Sequence, residues 1–186
     1  MKLGYRLLRA LIFLAAFPAQ AADWRMDAAS SRLEFIVSYE KATAPGLFKE
    51  FDTRLSFDPD KPAGSTLEVT VNIGSADMKS GDINKAIRMA DWFDSARFPK
   101  AEFRSMDIRK IDANRYLARG VLNLKGVQQA VEVPFSWAAA RDGASMEGEL
   151  TVRRSLFGIG RGEWAATDVI GGDVKVRFRV ALRRAP

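Results

Sequence analysis

The segment VKVRFRVAL at residues 174–182 decides the fold class, because apolar side chains occupy every second position along its full length. Three of the four residues between those positions are Lys or Arg. Successive side chains of a β-strand point to opposite faces of a sheet. The alternation therefore predicts a strand with one buried face and one solvated face.

The same period of two recurs along most of the chain. It is clear in FDTRLSF at 51–57 and LEVTVNI at 67–73, and less regular in LEFIV at 33–37. Turn signals such as DPD at 58–60 separate these runs, and Pro134 predicts a strand edge or a bulge because proline lacks an N–H donor. The pattern predicts an all-β domain of eight or nine antiparallel strands, arranged as a sandwich or a barrel.

One segment, DINKAIRMA at 82–90, has the spacing of a helix instead. From Ile83 onward its apolar side chains recur at i, i+3, i+4 and i+7, and Asp82 is placed to cap the first turn. Trp92 and Phe93 follow directly. We expect one short amphipathic helix that either covers an end of a barrel or serves as a plain connection between strands.

The composition excludes several classes of function. The 186-residue chain contains no Cys and no His, so it forms no disulfide and supplies no thiolate or imidazole ligand. This excludes the usual zinc, copper, iron–sulfur and His-haem sites, together with Ser-His-Asp and Cys-His nucleophiles. A hydrolase that uses only carboxylates is the remaining enzymatic option, but no Asp or Glu pair in the sequence marks one. We therefore expect a protein that is not an enzyme and that needs no cofactor or metal.

Residues 1–21 have the three parts of a secretory signal peptide. A start with three basic residues precedes an apolar run at 10–17, and AQA at 19–21 supplies a small-x-small cleavage site. The alternative is a retained membrane anchor, but a span needs about 20 apolar residues and this run is shorter. We predict cleavage after Ala21, a single domain at 22–186 and a periplasmic location.

The charge of this predicted mature domain gives little reason to expect a nucleic-acid partner. It keeps 26 of the 29 Lys and Arg residues and all 23 acidic residues, which leaves a net charge of about +3. The cationic face formed by Lys175, Arg177, Arg179 and Arg183 is explained either by transient contact with anionic lipid or, more simply, by a solvated strand face that also protects an exposed edge.

Large apolar side chains at the inward positions of the predicted strands have two possible roles. A sandwich would use them as a closed core, whereas an eight-stranded barrel can leave a cavity wide enough for one small ligand. The pattern alone favours the closed core and leaves the cavity open as an alternative. The inward candidates are Phe35, Val37, Phe51, Leu55, Val69, Val71, Phe103, Leu122, Leu124, Phe135, Trp137, Phe178 and Val180.

Five short blocks of the sequence carry a family resemblance. They are SRLEFIV at 31–37, GLFKEFD at 46–52, AIRMADWFD at 86–94, GVLNLKGV at 120–127 and RSLFGI at 154–159. Together they resemble the YceI-like, polyisoprenoid-binding family of exported bacterial proteins. The five blocks follow the family's order over about 130 residues, which makes the resemblance fairly specific.

The resemblance implies a single lipocalin-like antiparallel barrel of about eight strands with one short helix. Its cavity would hold an isoprenoid lipid, such as a polyprenyl chain or a quinone tail, so the protein would be a non-catalytic carrier or binder. The hollow barrel is then favoured over the closed core. The family-like blocks add Trp92, Phe93 and Phe157 to the expected cavity residues. Family members often carry a His after the opening strand, where this chain has Ser38 and Tyr39, so the headgroup preference stays open.

Three cations in the family-like blocks are candidates for binding a headgroup: Arg88, Lys125 and Arg154. A guanidinium suits phosphate, although a solvated surface charge is the plainer explanation for any one of them. The stretches at 42–46 and 160–166 resemble a branch of the family associated with b-type cytochromes that handle quinone. A second hypothesis is therefore an interaction module for a membrane cytochrome b, and the oligomeric state, monomer or dimer, is left open.

Overall fold

The structure, a computed structural model, describes residues 21–185, and most of its regular elements are strands. The predicted signal peptide at 1–21 lies outside the described residues except for Ala21. No helix within the described part is long and apolar enough to cross a membrane. In chain order the strands are β1 (Ala22–Met26), β2 (Arg32–Tyr39), β3 (Ala42–Phe48), β4 (Phe51–Phe57), β5 (Thr66–Asn72), β6 (Ala76–Asp77), β7 (Lys100–Lys110), β8 (Arg115–Leu124), β9 (Val127–Ala140), β10 (Gly143–Arg153) and β11 (Asp173–Arg184), and helix α1 (Gly81–Ala86) lies between β6 and β7.

The strands close into an antiparallel barrel with eight strand positions. Three of these positions hold a pair of short strands in line, namely β1 with β2, β3 with β4, and β5 with β6. The long β11 closes the ring, because its last residues pair with β1 and its first half pairs with β2. The prediction of an all-β barrel of about eight strands with one short helix is confirmed.

Strand β11 has the predicted alternation, but it lies within the barrel wall. It pairs with β10 on one side and with β2 and β1 on the other, so it has no exposed edge to protect. Its outward cations form ion pairs with acidic side chains of β10: Arg179 Nε lies 3.0 Å from Glu147 Oε1, and Arg177 binds Glu149. The edge-protecting role suggested for this cationic face is therefore wrong.

Pro134 lies where the barrel wall opens between β9 and β10. Strand β9 pairs with β8 from Val127 to Ser136, but it pairs with β10 only from Phe135 onward. Proline has no N–H to donate to a second neighbour, which accounts for the end of the ladder at this point. The predicted edge is confirmed on the β10 side.

Helix α1 is shorter than the sequence pattern predicts, and it begins one residue earlier, at Gly81. The Ser80 side chain, rather than that of Asp82, accepts a hydrogen bond from the Ile83 N–H and caps the helix. After Ala86 the chain continues as turns, closed by hydrogen bonds such as that from the Phe93 N–H to the Ile87 carbonyl.

One half of the barrel interior is a densely packed aromatic core. The ring centroid of Phe57 lies 4.9 Å from those of both Tyr116 and Trp137, in edge-to-face geometry, and Trp24 meets Trp137 at 5.0 Å. Such pairs contribute about 0.5–1.5 kcal/mol each beyond their burial. The Tyr116 hydroxyl donates to the Pro59 carbonyl, and the Trp24 Nε1–H donates to the Phe57 carbonyl.

Candidate functional site

The other half of the barrel interior is hollow. It contains a cavity of about 530 Å³, within the range of roughly 300–1,000 Å³ typical of pockets that bury most of a drug-sized ligand. The change from core to cavity is visible along β11, where Leu182 and Val180 are 2% exposed but the inward Val176 and Val174 are only half-buried.

The cavity wall is almost entirely apolar. Its floor is shared with the packed core and is formed by Leu67, Val133, Met146 and Val180, all of which are buried. The side walls come from the inward faces of the strands above that floor. They include Leu33, Phe35, Val37, Phe48, Phe51, Val69, Val71, Phe103, Leu122, Leu124, Leu150, Val152, Val174, Val176 and Phe178.

Two phenylalanines on the cavity wall lie flat against glycines of the neighbouring strand. Phe35 pairs with Gly46 and Phe178 pairs with Gly148, and in each case a Cβ built on the glycine would overlap the aromatic ring. The absence of a side chain at these glycines lets each ring lie against the wall. The axis of this half of the barrel is thereby left open.

A cover lies over part of the cavity, opposite the floor. It comprises α1, the aromatic pair Trp92 and Phe93, and the segment 155–172, which we call the cover loop. Ile87 packs with Phe35 and holds the turn after α1 against the barrel. Asp77 strengthens this attachment, because its carboxylate accepts hydrogen bonds from the Asn84 side chain at 2.8 Å and from the backbone N–H two residues on.

Arg154 organises the cover loop from within. The residue is 3% exposed, and its guanidinium donates to six backbone carbonyl oxygens at 2.8–3.1 Å, among them those of Ile159, Trp164 and Ile170. Burial without a carboxylate partner lowers the pKa of this guanidinium from its ordinary value. An arginine has five N–H donors, so none is left for a headgroup. Arg154 therefore holds the cover loop together and does not make the expected headgroup contact.

The other two candidate cations lie at the cover and keep part of their donor capacity. Lys125 Nζ donates to the carbonyls of Ala90 at 2.7 Å and Gly158 at 2.8 Å, which ties the cover to the β8–β9 turn. Burial lowers the pKa of this ammonium, and the positive charge of Arg161 acts in the same direction. Arg88 is exposed, and its Nη2 donates to the Gly74 carbonyl at 2.7 Å.

The structure brings most of the predicted cavity residues together and separates four of them. Leu55, Phe135 and Trp137 face inward as expected, but they belong to the packed core and do not line the cavity. Phe157, 2% exposed, packs against Val152 at the cover and also lies outside the lining. Those that line the cavity are Phe35, Val37, Phe51, Val69, Val71, Trp92, Phe93, Phe103, Leu122, Leu124 and Phe178.

One lining residue that the sequence reasoning missed is Thr53. It occupies the inward position between Phe51 and Leu55 on β4, at the level where cavity meets core. It is 1% exposed, and its hydroxyl has no hydrogen-bond partner. A polar residue at an inward position of the alternating run 51–57 is a signal that could have identified it.

The opening of the cavity is marked by lining residues that are themselves exposed. Tyr39, Ile83 and Trp164 line the cavity and are 49%, 44% and 38% exposed, respectively. They come from the end of β2, from α1 and from the cover loop. In residues 21–185 the acidic side chains form no group that could hold a metal ion.

These features define the molecule as a hollow, lipocalin-like β-barrel of the kind that can enclose one small ligand. The chain belongs to the YceI-like family, since the model of the YceI-like domain matches residues 24–182. Among curated relatives, a UPF0312 protein of Photorhabdus laumondii is 30% identical over 120 residues, which is 60% of this chain and 62% of that protein. The match thus spans less than two thirds of that relative.

Solved structures share the architecture. BcnA of Burkholderia cenocepacia superposes with a TM-score of 0.82 at 30% identity, covering 84% of this chain and 98% of BcnA. A polyisoprenoid binding domain from Saccharophagus degradans, implicated in plant cell wall breakdown, superposes with a TM-score of 0.71 at 15% identity, covering 89% of this chain and 99% of that domain. At 15% identity, the second similarity concerns the fold alone.

Proposed function

We propose that this protein is a non-catalytic binder of an isoprenoid-type lipid, which it encloses in the hollow half of the barrel. The observation that carries the proposal is the covered cavity of about 530 Å³ with an almost wholly apolar lining. The similarity in fold to a domain described as polyisoprenoid binding supports the choice of lipid class.

Burial of the hydrocarbon alone can supply the affinity. Each methylene removed from water contributes about 0.8 kcal/mol, so about fifteen carbons, or three isoprene units, contribute roughly 12 kcal/mol. Association and ordering cost about 4–15 kcal/mol. Most of the favourable free energy therefore comes from filling the cavity, and chain length and width govern the selection of the guest.

A longer guest would leave the barrel at the opening between Tyr39, Ile83 and Trp164. If such a guest carries a charged headgroup outside the barrel, Lys125 and Arg88 are the cations we propose for it. Lys125 uses two of its three N–H donors on carbonyls, and Arg88 makes one bond from Nη2.

The signal-peptide pattern at 1–21 supports export, and we propose that the protein binds and carries its lipid in the periplasm. The experiment is to purify the protein from its own periplasm without detergent, which would compete for the cavity, and to analyse an organic extract by mass spectrometry. We expect an isoprenoid lipid at close to one molecule per barrel. An extract without lipid, together with a co-purifying haem-bearing membrane protein, would instead support the cytochrome b hypothesis.

A further inference from the structure

The floor of the cavity carries one polar group that no part of the protein satisfies. Within residues 21–185, the Thr53 hydroxyl is the single buried side-chain N or O atom without a hydrogen-bond partner. It lies on β4 beside Val69 of β5, and both residues line the cavity. Buried polar groups are nearly always hydrogen-bonded, so each exception requires an explanation.

The surroundings of Thr53 restrict what can satisfy this hydroxyl. The other floor residues, Leu67, Val133, Met146 and Val180, offer hydrocarbon or a thioether. Because the Thr53 side chain is 1% exposed even in the empty barrel, a pure hydrocarbon guest would leave its hydroxyl unpaired, as it is without a guest. A guest with an oxygen at its inserted end would provide the missing hydrogen bond.

The same surroundings exclude a charged group at the floor. Among the described lining residues the only cation is Arg154, which belongs to the cover and uses its N–H donors on backbone carbonyls. A phosphate beside Thr53 would be a buried charge without a counterion, and such burial carries a large desolvation penalty.

We propose that Thr53 is a polar anchor that hydrogen-bonds a neutral oxygen of the guest, either a hydroxyl or a carbonyl. The guest is then a neutral, oxygen-bearing isoprenoid whose oxygen lies at the floor and whose chain extends toward the cover. This inference rests on the proposed function, because it requires that the cavity binds a lipid. It adds the chemical class of the lipid and its direction in the barrel.

The test compares two guests that differ only in the oxygen. One is farnesol, and the other is the hydrocarbon in which hydrogen replaces the hydroxyl of farnesol. Each displaces a fluorescent apolar probe from delipidated full-chain protein, in the wild type and in Thr53→Val, which keeps the side-chain shape. We expect the wild type to prefer farnesol about tenfold and Thr53→Val to lose that preference. The matched control is Thr70→Val, which removes a hydroxyl from the outward face of β5 and should leave the preference unchanged.

The possible outcomes separate this inference from the proposed function. If both guests bind the wild type equally, or if Thr53→Val keeps the preference for farnesol, the anchor is refuted while lipid binding stands. Farnesyl phosphate provides a third arm, and tighter binding of it than of farnesol, independent of Thr53, would place the head away from the floor and refute the anchor. If no isoprenoid displaces the probe, the proposed function itself fails.

Discussion

Replacing Val176 with Phe tests whether the barrel is hollow. Val176 faces inward on β11 between Leu150 and Phe35, and it lines the cavity. The substitution adds four side-chain carbons, which are worth up to about 3 kcal/mol if all of them leave water. Because cavity-filling changes usually deliver only part of the transfer energy, we expect the free energy of unfolding of the empty protein to rise by about 0.5–2 kcal/mol.

The binding free energy of the guest should weaken, because the new ring occupies part of the cavity that the guest would fill. A ring that displaces about four guest carbons costs the guest about 3 kcal/mol, or roughly a hundredfold in affinity. The assays are denaturant unfolding of the lipid-free protein and displacement of the fluorescent probe by farnesol. Val121→Phe is the matched control, because Val121 lies between inward neighbours on β8 but does not line the cavity. It should change guest affinity little.

A filled interior gives the opposite results. In a closed core the extra ring would overpack the barrel, and the free energy of unfolding would fall by about 1–3 kcal/mol. An unchanged affinity for farnesol in Val176→Phe would show that the guest binds elsewhere. Either result would refute the assignment of the cavity as the binding site.

Three further predictions concern the cover and the wall. Arg154→Met removes the donor that six carbonyls share. It should lower the free energy of unfolding by at least about 3 kcal/mol and speed amide hydrogen exchange in the cover loop. Unchanged exchange would refute the structural role of Arg154. The hydrogen bond from the Lys49 ammonium, with those from the Asn84 side chain and the Lys79 N–H, holds the pKa of the Asp77 carboxyl well below its usual range. Its stabilisation is therefore present above the unfolded value of about 3.9 and is lost as the pH falls below it. The Tm difference between wild type and Asp77→Asn should accordingly shrink as the pH is lowered from about 6 toward 2, and a constant difference would contradict this. Gly46→Ala should push the Phe35 ring into the cavity and weaken farnesol binding, whereas Gly81→Ala, with open space around it, should leave binding unchanged in the same displacement assay.

Alternation along the strands was sufficient to predict which side chains face inward. It was insufficient to predict whether an inward side chain is packed in the core or lines the cavity, because both kinds of residue occupy the same alternate positions along the strands. Phe51 and Leu55 both face inward on β4, yet Phe51 lines the cavity and Leu55 is buried in the core. The difference is their height along the barrel axis, which depends on the register of strands paired far apart in the sequence.

The position of Arg154 depends on loop geometry that residue type alone does not specify. Its signal in the sequence is the run GIGRG at 158–162, in which Gly158, Gly160 and Gly162 all adopt positive φ. A Cβ at Gly160 would overlap the Arg154 guanidinium, so the glycine permits the close approach of the backbone. An arginine followed by alternating glycines therefore indicates a loop wrapped around the guanidinium, which a search for phosphate-binding cations overlooks.

The two halves of the barrel differ in where their aromatic rings lie. In the packed half, Phe57 and Trp137 meet edge to face across the interior and fill it. In the hollow half, Phe35 and Phe178 lie over glycines of the adjacent strands, so their bulk stays against the wall. Large inward residues therefore do not by themselves indicate a filled barrel. An inward Phe paired with Gly leaves room along the axis, because the ring occupies the space that the partner's side chain would otherwise take.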